Sequence, residues 1–153
     1  MAQARKTILI LDDSPIDAGV ITDALKDHYR CVVATNGERA LALAAGNRKP
    51  DLILLDIVMS DMDGYQVCRR LKTHSETHDI PLIFLTAKTD IEDEKKVFAL
   101  GAVDYIHKPI SAPIVLARVK THLAASAAAT RFSRSLFAKR SCSAESCALR
   151  SAV

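Results

Sequence analysis

Five short apolar runs, separated by segments of helix length, constrain the fold of this chain more than any other feature. The runs are apolar throughout and do not alternate with polar residues, which is typical of parallel strands buried on both faces. They lie at 7–11, 30–34, 51–55, 81–85 and 103–107. This alternation predicts a single-domain α/β fold, a doubly wound five-stranded parallel sheet of five strand–helix units, (βα)5.

The first and last helical segments show which faces are expected to pack on the sheet. Pro15 fits the first turn of a helix capped by Ser14 or Asp13. The last helix is predicted from Ser111 to about Leu123. The apolar positions predicted to face the core in these two helices are Ile16, Val20, Ile21, Ala24 and Leu25 in the first, and Leu116, Val119 and Leu123 in the last.

Length and hydropathy limit the broad class of protein. A chain of 153 residues with 49% apolar side chains can bury a core and is too apolar for a disordered chain. The apolar run near the start is too short for a secretory signal, and no run approaches the about 18 residues of a membrane span. We therefore expect a cytoplasmic domain at 1–125, followed by a tail at 126–153.

The charge of the chain is divided unevenly between these two parts. The tail holds five basic residues and one acid, a net charge of +4, which leaves 16 basic and 17 acidic residues and a net charge of −1 in residues 1–125. The domain therefore lacks the basic surface of a nucleic-acid-binding protein. The basic, Ser- and Ala-rich tail is predicted to extend the last helix and then to be disordered, and its Cys142 and Cys147 have no assignable role.

Polar residues follow the predicted strands where each one ends. Asp12 and Asp13 follow the first, Asp56 the third, Thr86 the fourth and Lys108 the fifth. In open parallel sheets these carboxyl ends share one edge, where ligands bind. Each residue also has a structural interpretation by itself, because an Asp after a strand often caps a helix and a Lys is often solvated. The argument for a site depends on all five residues meeting at the same edge.

The electrostatics of such a cluster predict its partners. Three neighbouring carboxylates repel one another unless a cation offsets them. Oxygen ligands of this kind suit Mg²⁺, and Lys108 is predicted to pair with Asp56. At contact distance and an effective dielectric constant near 20, such a pair is worth roughly 4 kcal/mol before desolvation.

A carboxylate flanked by Mg²⁺, a lysine and a hydroxyl group is suited to accept a phosphoryl group. The cations neutralise the phosphoryl oxygens while Asp56 attacks in line. The sequence has no Gly-rich nucleotide-binding loop, so the phosphoryl donor is expected to be another molecule.

Four motifs contain the strand ends, namely "ILILDDSP" (8–15), "LILLDIVMSDMDG" (52–64), "LIFLTAK" (82–88) and "GAVDYIHKP" (101–109). Through these motifs the sequence resembles, over about residues 5–125, the receiver domain of two-component response regulators, which has a flavodoxin-like fold. The segment at 109–124 is also similar to receivers joined to domains that make or degrade cyclic di-GMP.

The resemblance implies roles for the residues at the strand ends. Asp56 would accept phosphoryl from a histidine of a sensor histidine kinase or phosphotransfer protein. Mg²⁺ would be bound by Asp13 directly, by Asp12 largely through water, by Asp56, and by the backbone carbonyl of Val58. Lys108 would pair with the phosphoryl group, and the peptide before Pro109 would be cis.

The resemblance also implies how the state of Asp56 would be transmitted. Thr86 would bind the phosphoryl group, and Tyr105 would be the aromatic residue that turns inward with it. The surface of the fourth helix, fifth strand and fifth helix would then control a partner or form a homodimer. Ala87 and Lys88 are predicted to tune the lifetime of the phosphorylated form.

Two other functions remain open from the sequence. One is a Mg²⁺-dependent, phosphatase-like hydrolase with Asp56 as nucleophile, although the chain has no insertion long enough for a substrate-covering cap domain. The other is an interaction module that is never phosphorylated, although such modules commonly lose an acid or the lysine. The receiver interpretation predicts no enzyme activity beyond the protein's own phosphorylation and dephosphorylation.

Overall fold

The computed structural model describes residues 5–46, 49–59, 62–87, 95–96 and 98–125. Residues 95–96 and 98–99 are helical (α4), and a further helix covers 112–125 (α5). The other helices are α1 (Pro15–Leu25), α2 (Gly37–Ala44) and α3 (Gly64–Thr73), and the strands are β1 (Thr7–Leu11), β2 (Arg30–Ala34), β3 (Leu52–Asp56), β4 (Leu82–Thr86) and β5 (Asp104–His107).

The described strands form one parallel sheet in the order β2-β1-β3-β4-β5. The predicted doubly wound α/β sheet is confirmed, and each strand begins and ends within one residue of its predicted bounds. In the register, Leu11 of β1 pairs with Leu55 of β3, and Thr86 of β4 pairs with His107 of β5. The residues that follow these pairs are therefore brought to the same edge of the sheet.

Two apolar layers cover the sheet. Because successive side chains of a strand point to opposite faces, Ile8 and Ile10 of β1 pack in the layer with α1 and α5. Leu9 and Leu11 pack in the layer with α2 and α3. Both central strands, β1 and β3, are buried along almost their whole length, which places the edge they form on a rigid base.

The predicted core face of α1 is wrong at two positions. Ile16 is 78% exposed and Val20 is also exposed, whereas the buried residues are Ala18, Ile21 and Leu25. These three recur at i, i+3 and i+7, which is one face of a helix. The predicted face included Ile16 only because it is apolar, and the helix that begins at Pro15 turns this side chain to the solvent.

The corrected face of α1 can be tested with two matched substitutions. We expect Ile21→Val to destabilise the protein by about 1 kcal/mol, because a methyl group is lost from the packed core. Ile16→Val removes the same group from an exposed site and should change stability by less than about 0.5 kcal/mol. Urea unfolding of both variants measures the difference, and equal effects would contradict the assignment of the two faces.

Two further expectations need correction. The run at 30–34 was predicted to be buried on both faces, but β2 lies at the margin of the sheet beside β1 alone, and most of its side chains are partly or fully exposed. In α5 the buried residues are Val115, Val119 and Leu123, and Leu116 packs only partly against them. The predicted stripe therefore needs Val115 in place of Leu116.

Several predicted features lie outside the described residues, namely Lys88 and the tail at 126–153 with Cys142 and Cys147. Cys31 is partly buried and Cys68 is buried, and both are free thiols. Within the described parts of the chain, no helix is both long and apolar enough to cross a membrane.

Candidate functional site

The paired ends of β1 and β3 bring three carboxylates together. Asp12 and Asp13 follow β1, and Asp56 is the last residue of β3. One carboxylate oxygen from each residue lies within 4.8 Å of the others. Asp12 is 1% exposed and Asp56 4% exposed, while Asp13 is exposed to solvent. Two carboxylates are thus buried beside each other, and the third opens the group to water.

The Lys108 side chain enters this group from the end of β5. Its Nζ lies 3.2 Å from Oδ2 of Asp56 and 3.4 Å from Oδ2 of Asp12. The backbone N–H of Lys108 donates a hydrogen bond of 2.8 Å to the carbonyl of Thr86, and the Lys108–Pro109 peptide is cis. The ammonium group therefore faces the two buried carboxylates.

A fourth carboxylate, missed by the sequence analysis, also contacts the lysine. Asp17 lies in the first turn of α1, and its Oδ2 is 3.0 Å from Nζ of Lys108. Asp17 is an acid in the first turn of the helix that directly follows β1. Because that turn begins just beyond the carboxyl end of β1, its position in the sequence could have placed Asp17 at this edge. We call the group Asp12, Asp13, Asp17, Asp56 and Lys108 the acidic rim.

The turn from β1 into α1 is fixed by short-range hydrogen bonds. The backbone N–H of Ser14 donates to Oδ1 of Asp12 at 2.9 Å, and Oγ of Ser14 accepts from the backbone N–H of Asp17 at 3.5 Å. Ser14 is thus the N-cap residue, one of the two predicted for this helix. These bonds hold both acids in place relative to β1.

The turn from β3 into α3 needs a glycine at position 64. The backbone N–H of Gly64 donates to the carbonyl of Ile57 at 2.8 Å. A Cβ at Gly64 would collide with the carbonyl oxygen of Asp56 and would lie 2.8 Å from Cα of Ile57. Glycine at this position therefore lets α3 approach the backbone of Asp56.

The combined effect of burial and neighbouring charges raises the pKa of both Asp56 and Lys108. Burial, together with the charge of Asp12 and against the opposing effect of Lys108, raises the pKa of Asp56 to about 6. Burial lowers the pKa of Lys108, but its bond to Asp17 and the charges of Asp56 and Asp12 outweigh burial and raise that pKa. Lys108 therefore stays charged at neutral pH, whereas the ionised form of Asp56 is disfavoured in this pocket.

The donor set of the rim fits Mg²⁺. Asp12, Asp13 and Asp56 offer hard oxygen ligands from two segments of the chain, and the exposed Asp13 leaves room for the waters that this ion keeps. Burial, and after it the charge of Asp12, raises the pKa of Asp56 despite the nearby Lys108, and a bound cation would favour the ionised carboxylate. Val58, two residues beyond Asp56, lies in the loop that follows β3.

The remaining predicted residues lie on β4 and β5 or directly after β4. Thr86 ends β4 and is buried, and the exposed Ala87 follows it. Tyr105 lies on β5, partly buried, with its ring centroid 5.7 Å from that of Phe98 and 5.0 Å from that of His107. The structure thus places Thr86 at the end of β4, the strand that pairs with β3, and Tyr105 in edge-to-face contact with Phe98 and His107.

Comparison with known proteins agrees with this arrangement. Residues 8–120 match the response regulator receiver domain model. The chain is 48% identical over 117 residues to a Vibrio cholerae protein named as a cyclic di-GMP phosphodiesterase, covering 76% of this chain and 26% of that protein. It is 38% identical over 118 residues to PilH of Pseudomonas aeruginosa, covering 76% of this chain and 97% of PilH. The chain thus spans nearly all of one relative and about a quarter of the other.

A solved structure shows the same fold. The chain superposes on the crystal structure of a response regulator from Chloroflexus aurantiacus with a TM-score of 0.74 and 34% identity, covering 80% of this chain and 99% of that one. The order of strands, the acidic rim and the family match over 113 residues point to one assignment. The chain belongs to the response regulator receiver domain family.

Proposed function

We propose that this receiver accepts a phosphoryl group on Asp56 from a phosphohistidine of a sensor histidine kinase or a phosphotransfer protein. The observation that carries the proposal is the Lys108 ammonium, 3.2 Å from the buried carboxylate of Asp56. A lysine so close to a buried acid supplies positive charge where phosphoryl oxygens would lie. The family match supports the same conclusion.

In the proposed transfer, Asp56 acts as nucleophile. One Asp56 Oδ forms a bond to phosphorus while the P–N bond of the phosphohistidine breaks, and the imidazole leaves with that electron pair and takes up a proton. A carboxyl group with a pKa of about 6 is mostly ionised at neutral pH, as the attack requires. Lys108 would then pair with the phosphoryl oxygens, whose charge exceeds that of the carboxylate they replace.

Three of the four acids of the rim would hold the metal. Asp12, Asp13, Asp56 and the carbonyl of Val58 would bind Mg²⁺, which when present neutralises negative charge on the transferring phosphoryl group. The chain's own residues orient the nucleophile, because β3 fixes the backbone of Asp56 on one side and Gly64 lets α3 pack against it on the other.

The proposed output runs from Thr86 through β5. Thr86 would bind the phosphoryl group and Tyr105 would move with it, with Ala87 and Lys88 tuning the lifetime of the phosphorylated state. On this side Arg118 Nη1 and His122 Nε2 of α5 lie 2.6 Å and 2.9 Å from Oδ2 of Asp104 on β5. These contacts connect α5 to β5. A shift of the strand would therefore also move α5 and change the surface formed by α4, β5 and α5.

This surface is proposed to contact the partner through which the receiver acts, or a second copy of the chain. Phe98 of α4, Ile114 of α5 and Val103 expose apolar side chains there. The identity to the Vibrio protein supports an output connected with cyclic di-GMP turnover. Residues 1–125 would form the receiver and 126–153 an appended tail.

The proposal is tested by incubation with acetyl phosphate and Mg²⁺ followed by intact-mass measurement. We expect one phosphoryl adduct on the wild type and none on Asp56→Asn, whereas Asp23→Asn, with an exposed acid on α1, should keep the adduct. The two alternatives predict other results. A hydrolase would consume an added phosphomonoester with many turnovers, and a module that is never phosphorylated would show no adduct on any variant.

A further inference from the structure

Lys108 contacts three carboxylates, of which two belong to the candidate metal site and one does not. An ammonium group has three N–H donors, and its Nζ lies 3.0 Å from Asp17, 3.2 Å from Asp56 and 3.4 Å from Asp12. Asp56 and Asp12 belong to the group of acids that fits a metal, whereas Asp17 lies outside it. The shortest of the three contacts thus goes to the acid with no part in metal binding or phosphoryl acceptance.

The position of Asp17 is fixed by α1. Its backbone N–H is bound to the Ser14 cap, and Ile21 and Leu25 anchor the helix in the core. Its side chain is 28% exposed, so water can solvate the carboxylate if Lys108 leaves it. The Asp17–Lys108 pair is therefore a contact that the protein can break without burying an unpaired charge.

We propose that Asp17 is a positioning residue that holds Lys108 in the unphosphorylated protein and competes with the phosphoryl group for it. This inference rests on the proposed function of Asp56. A phosphoryl group brings extra negative charge and new acceptors to Asp56, and Lys108 has to redirect N–H donors from its present partners to bind them. Asp17 thereby weakens the hold of the pocket on a phosphoryl group and sets how readily the receiver is activated.

The test measures the affinity for beryllofluoride, an anion that mimics a phosphoryl group on a carboxylate, at Mg²⁺ concentrations shown to saturate each variant. Asp17→Asn keeps the shape of the side chain and removes its charge. We expect the dissociation constant to fall by about tenfold, the size of one charge-assisted hydrogen bond that no longer competes. Asp17→Glu restores a carboxylate and should return the constant toward the wild-type value.

Asp23→Asn is the matched control, because it removes the same charge from the same helix at a side chain that is 76% exposed and 3.4 Å from Lys26. Asp23→Asn should leave the affinity unchanged. Thermal unfolding of each variant verifies folding, with Asp17→Ser as a second neutral substitution.

The outcomes separate this inference from the proposed function. Tighter binding in Asp17→Asn and Asp17→Ser alone, reversed in Asp17→Glu, supports competition for Lys108. Unchanged or weaker binding in the neutral variants, or an equal gain in Asp23→Asn, overturns it while the phosphoacceptor role of Asp56 stands. If the wild type binds no beryllofluoride, both proposals fall.

Discussion

The Asp56→Asn variant is expected to be more stable than the wild type at neutral pH without a divalent cation. Burial and the charge of Asp12 make the ionised Asp56 unfavourable in the folded protein, and Lys108 offsets this only in part. Asparagine has nearly the same shape and no charge. A pKa raised from 3.8 to about 6 corresponds to a gain of about 2–3 kcal/mol when the charge is removed.

The same shift predicts how stability depends on pH. The pKa of Asp56 in the folded protein lies above its ordinary value. The stabilisation that protonated Asp56 gives the folded protein is therefore fully present below pH 3.8 and is lost as the pH rises through about 6. The free energy of unfolding of the wild type should therefore fall between about pH 4 and pH 6 relative to that of Asp56→Asn, and the two should differ by a constant amount above that range.

Urea unfolding at pH 5 and pH 7.5, in the presence of a chelator, measures this difference. Asp23→Asn removes an exposed acid and should follow the wild-type dependence on pH. Parallel curves for the wild type and Asp56→Asn would show that ionised Asp56 costs the fold nothing.

Substitution of Gly64 by alanine is expected to have an effect of similar size and opposite sign. The added methyl group would meet the backbone of Asp56 and Ile57, which has no flexible side-chain end that could move aside. Either α3 or the end of β3 must shift, and overpacking of this kind costs about 1–3 kcal/mol. Because β3 carries Asp56, the proposed nucleophile, phosphorylation by acetyl phosphate should slow as well.

Gly19→Ala is the control for this prediction. Gly19 lies inside α1, and a Cβ there would meet no atom within 4 Å. Alanine at such a position should stabilise the protein by about 0.5–1 kcal/mol, because glycine loses more backbone freedom on folding. Thermal unfolding of the two variants should thus move in opposite directions, and a Gly64→Ala variant as stable as the wild type would contradict the close approach.

The architecture could be predicted from the sequence because buried parallel strands leave an unmistakable pattern. The run predicted at 51–55 contains Leu52–Leu55, which are apolar and buried on both faces of the sheet, and the alternation of such runs with helices leaves few topologies open. The rim followed from the same reasoning, since the carboxyl ends of the strands must share an edge. Charge then indicated that Lys108 would lie beside an acid.

The features that were not predicted correctly depend on the rotation of a helix about its axis and on the position of a strand in the sheet. Ile16 is apolar yet exposed, because the rotation of α1 is set by its cap and by packing on the sheet and not by composition. The exposure of β2 follows from its place at one margin, which apolar content does not reveal. Asp17 was overlooked because the sequence argument considered only residues that directly follow a strand, whereas Asp17 lies in the first turn of α1.

The hydrogen bond from the Lys108 N–H to the Thr86 carbonyl has a mechanical consequence. This bond joins the backbones of the two residues proposed to bind the phosphoryl group. A displacement of either residue is therefore transmitted to the other. In the described sheet β5 pairs with a strand on one side only, whereas β1, β3 and β4 pair with a strand on each side. Of the two outer strands of the described sheet, β2 and β5, it is β5 that is joined to the pocket, so a displacement at its end can be transmitted outward while the central strands stay in place.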